Sequence, residues 1–153
     1  MDGTVYVTGM DNQKQGYLFA FDVDGLPKWK TPYGPEMDKT GPAVAGTRGT
    51  ASVSGDLIFV MSSFGKLITF EREKGRLLKS IDLLEQSGAR QARFGFAECV
   101  LVDGKKVICT PGGPDASLMA FDKETGEKIW QTNGRLYTRH GDVLLAYDIE
   151  AGS

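Results

Sequence analysis

Apolar and polar residues alternate along this chain in short runs, and one such run is written four times. The copies are Gly16-Tyr17-Leu18-Phe19-Ala20-Phe21-Asp22, Gly65-Lys66-Leu67-Ile68-Thr69-Phe70-Glu71, Ala116-Ser117-Leu118-Met119-Ala120-Phe121-Asp122 and Asp142-Val143-Leu144-Leu145-Ala146-Tyr147-Asp148. Each ends in an acid after an aromatic. The acids stand at residues 22, 71, 122 and 148, two long periods followed by one about half as long. Alternation over so few residues has the period of a half-buried strand, not of a helix. Ahead of each copy a turn signal opens another apolar run: Asp2-Gly3 before Val5, Ser54-Gly55 before Leu57, Asp103-Gly104 before Val107 and Asn133-Gly134 before Leu136. Such dipeptides supply the positive φ angles of tight hairpins. Behind three copies comes a turn closing on Gly25, Gly75 or Gly126, and four residues later stand Trp29, Lys79 and Trp130.

Short strands joined by such turns, repeating about every 50 residues, predict one four-stranded antiparallel sheet per repeat. With the strands lettered A to D, the second repeat reads 50–53, 56–61, 66–71 and 76–81, and the third reads 97–102, 106–110, 118–122 and 127–132. The first repeat has no A strand, and the fourth has B and C alone. The expectation is an all-β chain of β-propeller blades, three to four partial blades in a single domain over 1–153. The repeats fall at approximately 1–33, 46–84, 94–132 and 133–150. Only 83–92 is expected to turn into a short helix.

Composition agrees with many turns, since 20 Gly and 6 Pro among 153 residues would penalise helix interiors. A net charge of −2 leaves no broad basic surface, so nucleic acid is not an expected partner. No run approaches the ~20 apolar residues that span a bilayer, and Met1-Asp2-Gly3 opens no signal peptide, so no membrane insertion is expected. Cys99 and Cys109 are too few for a disulfide framework and too far apart for a CxxC site, and both are expected as buried thiols.

Strands that alternate direction put the B-to-C and D-to-A connections on one face of a propeller and short turns on the other. The loop-rich face is expected to collect 8–16, 32–49, 62–65, 82–96 and 111–117, and binding residues sit on loops held by a rigid scaffold. There Arg48, Arg93 and Glu98, near the starts of the innermost strands, are candidates for a polar binding patch with Asp115. The competing reading has Arg48 and Glu98 fixing blade packing, through each other or through backbone, and Gly112, Gly113 and Asp115 forming a wide turn. Gly46-Thr47-Arg48-Gly49-Thr50 lacks the Gly-Lys-Ser/Thr of a phosphate loop. Asp22-Val23-Asp24-Gly25 lacks the downstream oxygens of a calcium loop, and the single histidine, His140, expected in a turn, builds neither a triad nor a metal site. Trp29, Trp130, Asp22, Asp122 and Asp148 are assigned to blade packing. No catalytic residue and no metal site is expected.

The run Ala120, Phe121, Asp122, Thr125, Gly126 and Trp130 resembles the repeat of the pyrroloquinoline-quinone (quinoprotein) propeller superfamily. The stretches 41–50, 94–98 and 110–115 resemble its bacterial quinone-binding-like members. The resemblance implies a propeller of seven or eight blades, and so a chain that is part of a longer or rejoined one, in a periplasmic or secreted setting. It also implies pyrroloquinoline quinone as the conceivable cofactor. The quinoprotein enzymes stack that quinone on a tryptophan and use adjacent cysteines, a calcium ion and an aspartate base, and none of those matches carries over to this sequence. The expected function is a non-catalytic binding or scaffold module with a loop face for a protein, peptide or glycan. The alternatives are a fragment of a quinone-dependent alcohol or sugar oxidoreductase, and a structural fragment that completes its ring as a homo-oligomer.

Overall fold

The computed structural model describes residues 3–38, 46–91, 93–132, 135–140 and 143–148, the last two stretches by their backbone. Four antiparallel sheets follow one another along the chain. The first holds β1 (Thr4–Met10), β2 (Gln15–Asp22) and β3 (Pro27–Pro35). The second holds β4 (Ser52–Ser54), β5 (Leu57–Met61), β6 (Lys66–Glu71) and β7 (Leu77–Asp82), after which α1 (Leu83–Ser87) makes little more than one turn. The third holds β8 (Leu101–Asp103), β9 (Lys106–Cys109), β10 (Leu118–Asp122) and β11 (Lys128–Thr132), and the fourth is the hairpin of β12 (Arg135–His140) and β13 (Val143–Asp148). The chain is a set of β-propeller blades, and every neighbour in a sheet is also its neighbour in sequence.

The repeated acid has one structural place. Asp22 lies opposite Thr4, Glu71 opposite Leu57, Asp122 opposite Lys106 and Asp148 opposite Arg135, so the four blades share a register. Among the acids whose side chains are described, the carboxylate accepts backbone N–H groups of the turn that follows. Asp22 Oδ1 takes Asp24 and Leu26 at 3.0 and 2.8 Å, Asp122 Oδ1 takes Glu124 and Thr125 at 2.9 and 2.8 Å, and Glu71 takes Glu73 and Lys74. An acid here satisfies turn donors that no strand can reach. These acids therefore close their own C-to-D turns. Gly25, Gly75 and Gly126 complete the turns at φ of 83°, 69° and 79°, the left-handed region that disfavours a Cβ.

Contact between blades belongs to the position four residues on. Ala20 pairs with Trp29, Thr69 with Lys79 and Ala120 with Trp130, so the three residues are equivalent. The Trp29 indole lies across Gly75 of the second blade, and the Lys79 stem lies beside Gly126 of the third. Thr31 Oγ1 donates to the Gly75 carbonyl at 2.7 Å, and Lys79 Nζ donates to the Glu124 carbonyl.

Burial explains why the alternation fades in the second blade. β5 and β6 are covered on both faces, as in any sheet packed between two layers. Ile58, Val60, Ile68 and Phe70 pack toward the first blade with Leu18 and Tyr33. Phe59, Met61 and Leu67 pack toward the third with Val107, Cys109, Met119 and Phe121.

Several expectations shift. The inner strands begin later than 50 and 97, because 97–100 lie along the neighbouring blade: Cys99 Sγ accepts from the Thr50 N–H, and the Val100 carbonyl from Ser52 Oγ. Cys99 is consequently exposed, and only Cys109 is buried. The connection expected over 8–16 is a tight turn, since β1 and β2 pair as far as Met10 and Gly16 and Asp11 Oδ1 caps it from Gln13 and Gln15. His140 ends β12 opposite Val143 instead of lying in a turn. Residues 39–45 of the expected 32–49 connection, and the side chain of Asp148, lie outside the described residues.

Candidate functional site

The connections expected on one face are stitched to each other by hydrogen bonds. The second blade's B-to-C turn, 62–65, is central. Its Ser63 Oγ accepts from the Met37 N–H at 2.7 Å, its Ser63 carbonyl accepts from the Phe96 N–H at 3.0 Å, and its Gly65 carbonyl accepts from Leu83 at 3.0 Å. The third blade's B-to-C connection is tied to α1, where Asp115 N–H donates to the Ser87 carbonyl at 3.1 Å. Gly113 runs so close to Ser87 and Ala89 that a Cβ would strike their backbone. Asp82 caps α1 by accepting from Leu84 and Glu85, and Ser87 Oγ donates back to Leu83 at 2.6 Å.

A carboxylate that sequence reasoning missed anchors this arrangement. Glu36, only 2% exposed, accepts from Thr47 Oγ1 through Oε1 and from the N–H and hydroxyl of Ser63 through Oε2. The Tyr33 hydroxyl shares a hydrogen bond of 2.7 Å with Thr47 Oγ1, and Gly16 leaves the space that Tyr33 and Glu36 fill. A buried carboxylate persists only where donors compensate its lost hydration. Here the donors come from a D-to-A connection and a B-to-C turn of successive blades. The signal for Glu36 was faint: an acid after Pro35, 27 residues from its serine.

The predicted residues are distributed over this face. Arg48 donates through Nη2 to the carbonyls of Phe94 and Gly95, so it holds backbone of the next D-to-A connection. Arg93 sets its guanidinium carbon 5.2 Å from the Phe94 ring centre, and Phe94 is exposed. Arg48 and Arg93 thus meet at one segment. Glu98 is engaged elsewhere, its two oxygens accepting the Thr110 N–H at 2.9 and 3.1 Å. Burial pushes its carboxyl pKa up, and the Thr110 bond opposes that only in part. Burial, with Glu98 nearby, also raises the Cys109 thiol well above its ordinary value. The exposed Asp115 accepts from Gln131 Nε2 at its carbonyl, 3.1 Å away. Trp29 and Trp130 lie on outer strands, away from the inner strands.

Beside Glu36 an open cleft of about 560 Å³ lies between the first two blades. Phe64, Lys66, Asp82, Leu84 and Gln91 line it with the rim of Tyr33. It offers aromatic and aliphatic surface with one charge of each sign. The groups by which the resemblance implies a quinone would be held do not come together among the described residues. The Trp29 indole is taken up against Gly75, one cysteine is in the core and the other on the surface, and no three His, Cys, Asp or Glu side chains converge among the described residues.

Comparison with known proteins bears on this geometry. The chain is 24% identical to the quinoprotein ethanol dehydrogenase of Pseudomonas aeruginosa over 96% of its length, and it spans about a quarter (24%) of that relative. Among solved structures it resembles the quinohemoprotein alcohol dehydrogenase from Comamonas testosteroni, with a TM-score of 0.64 and 24% identity over 86% of this chain and 19% of that one. It also resembles BamB from Moraxella catarrhalis, with a TM-score of 0.53 and 20% identity over 92% of this chain and 42% of that one. These likenesses are to propellers, and at such identity they carry the fold alone. The model of one family matches residues 14–143, and the chain belongs to that family, the one described as outer membrane protein assembly factor BamB.

Proposed function

We propose that this chain serves as a non-catalytic propeller module that engages a protein or peptide segment on its loop-rich face. The observation that carries the reading is the stitching of that face. Loops fixed by Glu36, Ser63, Thr47 and α1 present the cleft of Phe64, Lys66, Asp82 and Gln91 already organised, which lowers the ordering cost of binding. The charged residues near the inner strands are occupied in holding backbone, as scaffold residues are, with Arg48 on 94–95 and Glu98 on Thr110. The family description, an assembly factor for outer membrane proteins, favours a protein ligand over a glycan and a periplasmic or secreted setting. Among the described residues no helix is long and apolar enough to cross a membrane.

Panning a displayed peptide library on the purified chain tests the reading. Selected peptides should lose at least about tenfold in affinity on Phe64→Ala or Lys66→Glu. Peptides that bind both variants as tightly as the parent would place recognition elsewhere. The quinone-dependent alternative rests on the likeness to the ethanol dehydrogenase. Stoichiometric calorimetric binding of pyrroloquinoline quinone with calcium would favour it over a scaffold.

A further inference from the structure

The cleft between the first two blades has walls from the end of β3, from the turn that opens β6, and from β7 and α1. Its apolar surface comes from Phe64, Leu84 and Pro35, and its charge is one-sided. β6 and β7 pair so that Lys66 stands opposite Asp82, an arrangement in which opposite charges ordinarily attract. No ion pair joins the two; Asp82 Oδ1 instead accepts the N–H groups of Leu84 and Glu85 at 3.1 and 3.2 Å. The acid is thus answered by backbone donors. The exposed Lys66 ammonium makes no hydrogen bond or ion pair among the described residues. Ser80 lies diagonal to Lys66 in the same sheet and also lines the cleft, and its hydroxyl has no hydrogen-bond partner among the described residues.

The backbone beneath Lys66 is held in place. The Ser62 N–H donates to the Lys66 carbonyl at 2.9 Å, the Lys66 N–H donates to Ser62 Oγ at 3.1 Å, and the Gly65 carbonyl between Phe64 and Lys66 accepts from Leu83. Gly65 adopts φ 76°, and a Cβ there would strike the Phe96 ring. One aromatic and one cation are therefore presented side by side from a fixed turn, so little ordering is left to be done on binding.

We propose that this cleft takes an extended peptide segment of acidic and apolar character, with an aspartate or glutamate on Lys66 and Ser80 and an apolar side chain two residues away against Phe64 and Leu84. The proposal rests on the reading of the loop-rich face as a peptide-binding face and adds the chemistry which that face selects. Alternate residues of an extended segment lie on one side about 7 Å apart, so an acid and an apolar residue in that spacing can enter one cleft together. A cation rimmed by apolar surface attracts a carboxylate more strongly than one in open water, because the local dielectric is lower. A basic segment would bring like charge to Lys66 and find Asp82 already hydrogen-bonded.

Peptide panning read by deep sequencing tests this on the whole chain, with the pools selected on the parent and on Lys66→Gln compared. Lys66 is exposed, so the variant should melt with the parent. The parent's pool should be enriched in an acid two residues from an aromatic or branched aliphatic residue. The Lys66→Gln pool should lose the acid and keep the apolar residue. A selected peptide, synthesised with blocked ends, should lose about tenfold in affinity for the parent when that acid is changed to its amide, and less than about twofold for Lys66→Gln. Added salt should weaken the acidic peptide and leave the amide form unmoved. The inference is overturned, with the reading of the face intact, by a pool rich in bases, by a pool without charge preference whose binding is still lost on Phe64→Ala, or by an acidic preference that survives in Lys66→Gln. Peptides indifferent to Phe64→Ala, or no selected peptide at all, overturn both.

Discussion

Trp29 of the first blade lies flat against Gly75 of the second, in a space that a single methyl group would close. Gly75→Ala therefore carries two penalties, a left-handed residue at φ 69° and a clash with the indole. Gly25→Ala, at φ 83° in open space, carries only the first. The left-handed penalty is about 1–2 kcal/mol and forced overpacking about 1–3 kcal/mol more. Urea unfolding of both variants should rank Gly75→Ala as the less stable. Equal losses would mean that the indole yields without cost.

Glu36→Ala should loosen the loop-rich face as well as the fold. It strands the N–H of Ser63, a buried residue, and removes the acceptor of Thr47, at about 1–3 kcal/mol per unsatisfied buried group. Glu36→Gln keeps one acceptor and should lie between the parent and the alanine variant. Hydrogen exchange at Ser63 and Met37 is the local readout, and both amides should lose protection in Glu36→Ala.

The raised carboxyl pKa of Glu98 has a definite sign. The folded chain holds this proton more tightly than the unfolded chain, so stability is greatest below the ordinary glutamate range. It falls as pH rises through that range to the raised value and is level beyond it. Glu98→Gln should flatten that part of the stability–pH curve, leaving the slopes from other groups. A curve unchanged by the substitution would show that the Thr110 bond, not burial, sets the carboxyl.

Thiol labelling should separate the two cysteines. Cys99 is exposed, whereas Cys109 is buried and its thiol is held in the neutral form by burial. A disulfide exchange reagent should modify about one thiol per native chain and both in denaturant, with Cys99→Ser abolishing the fast phase.

The blade pattern could be read from the sequence because its determinants are local. The aromatic-acid ending, the turn glycine and the residue four positions on fall in one register in three blades, and they do so through contacts within one hairpin or its turn. What escaped depended on partners far along the chain. Glu36 and Ser63 meet across 27 residues, and Arg48 reaches Phe94 and Gly95, whose carbonyls carry no mark in a sequence. Cys99 was expected inside because free cysteine is so often buried. Its segment instead follows the neighbouring blade through Thr50 before entering its own sheet, which turns the thiol outward.

Because every sheet is a run of consecutive hairpins, any blade can begin to form without waiting for a distant segment, and loop closure costs little entropy. Cooperativity then resides in the junctions between blades, as in a one-dimensional array of coupled units. The second blade is buttressed from both sides. Its β5 and β6 amides should be the last to exchange with solvent.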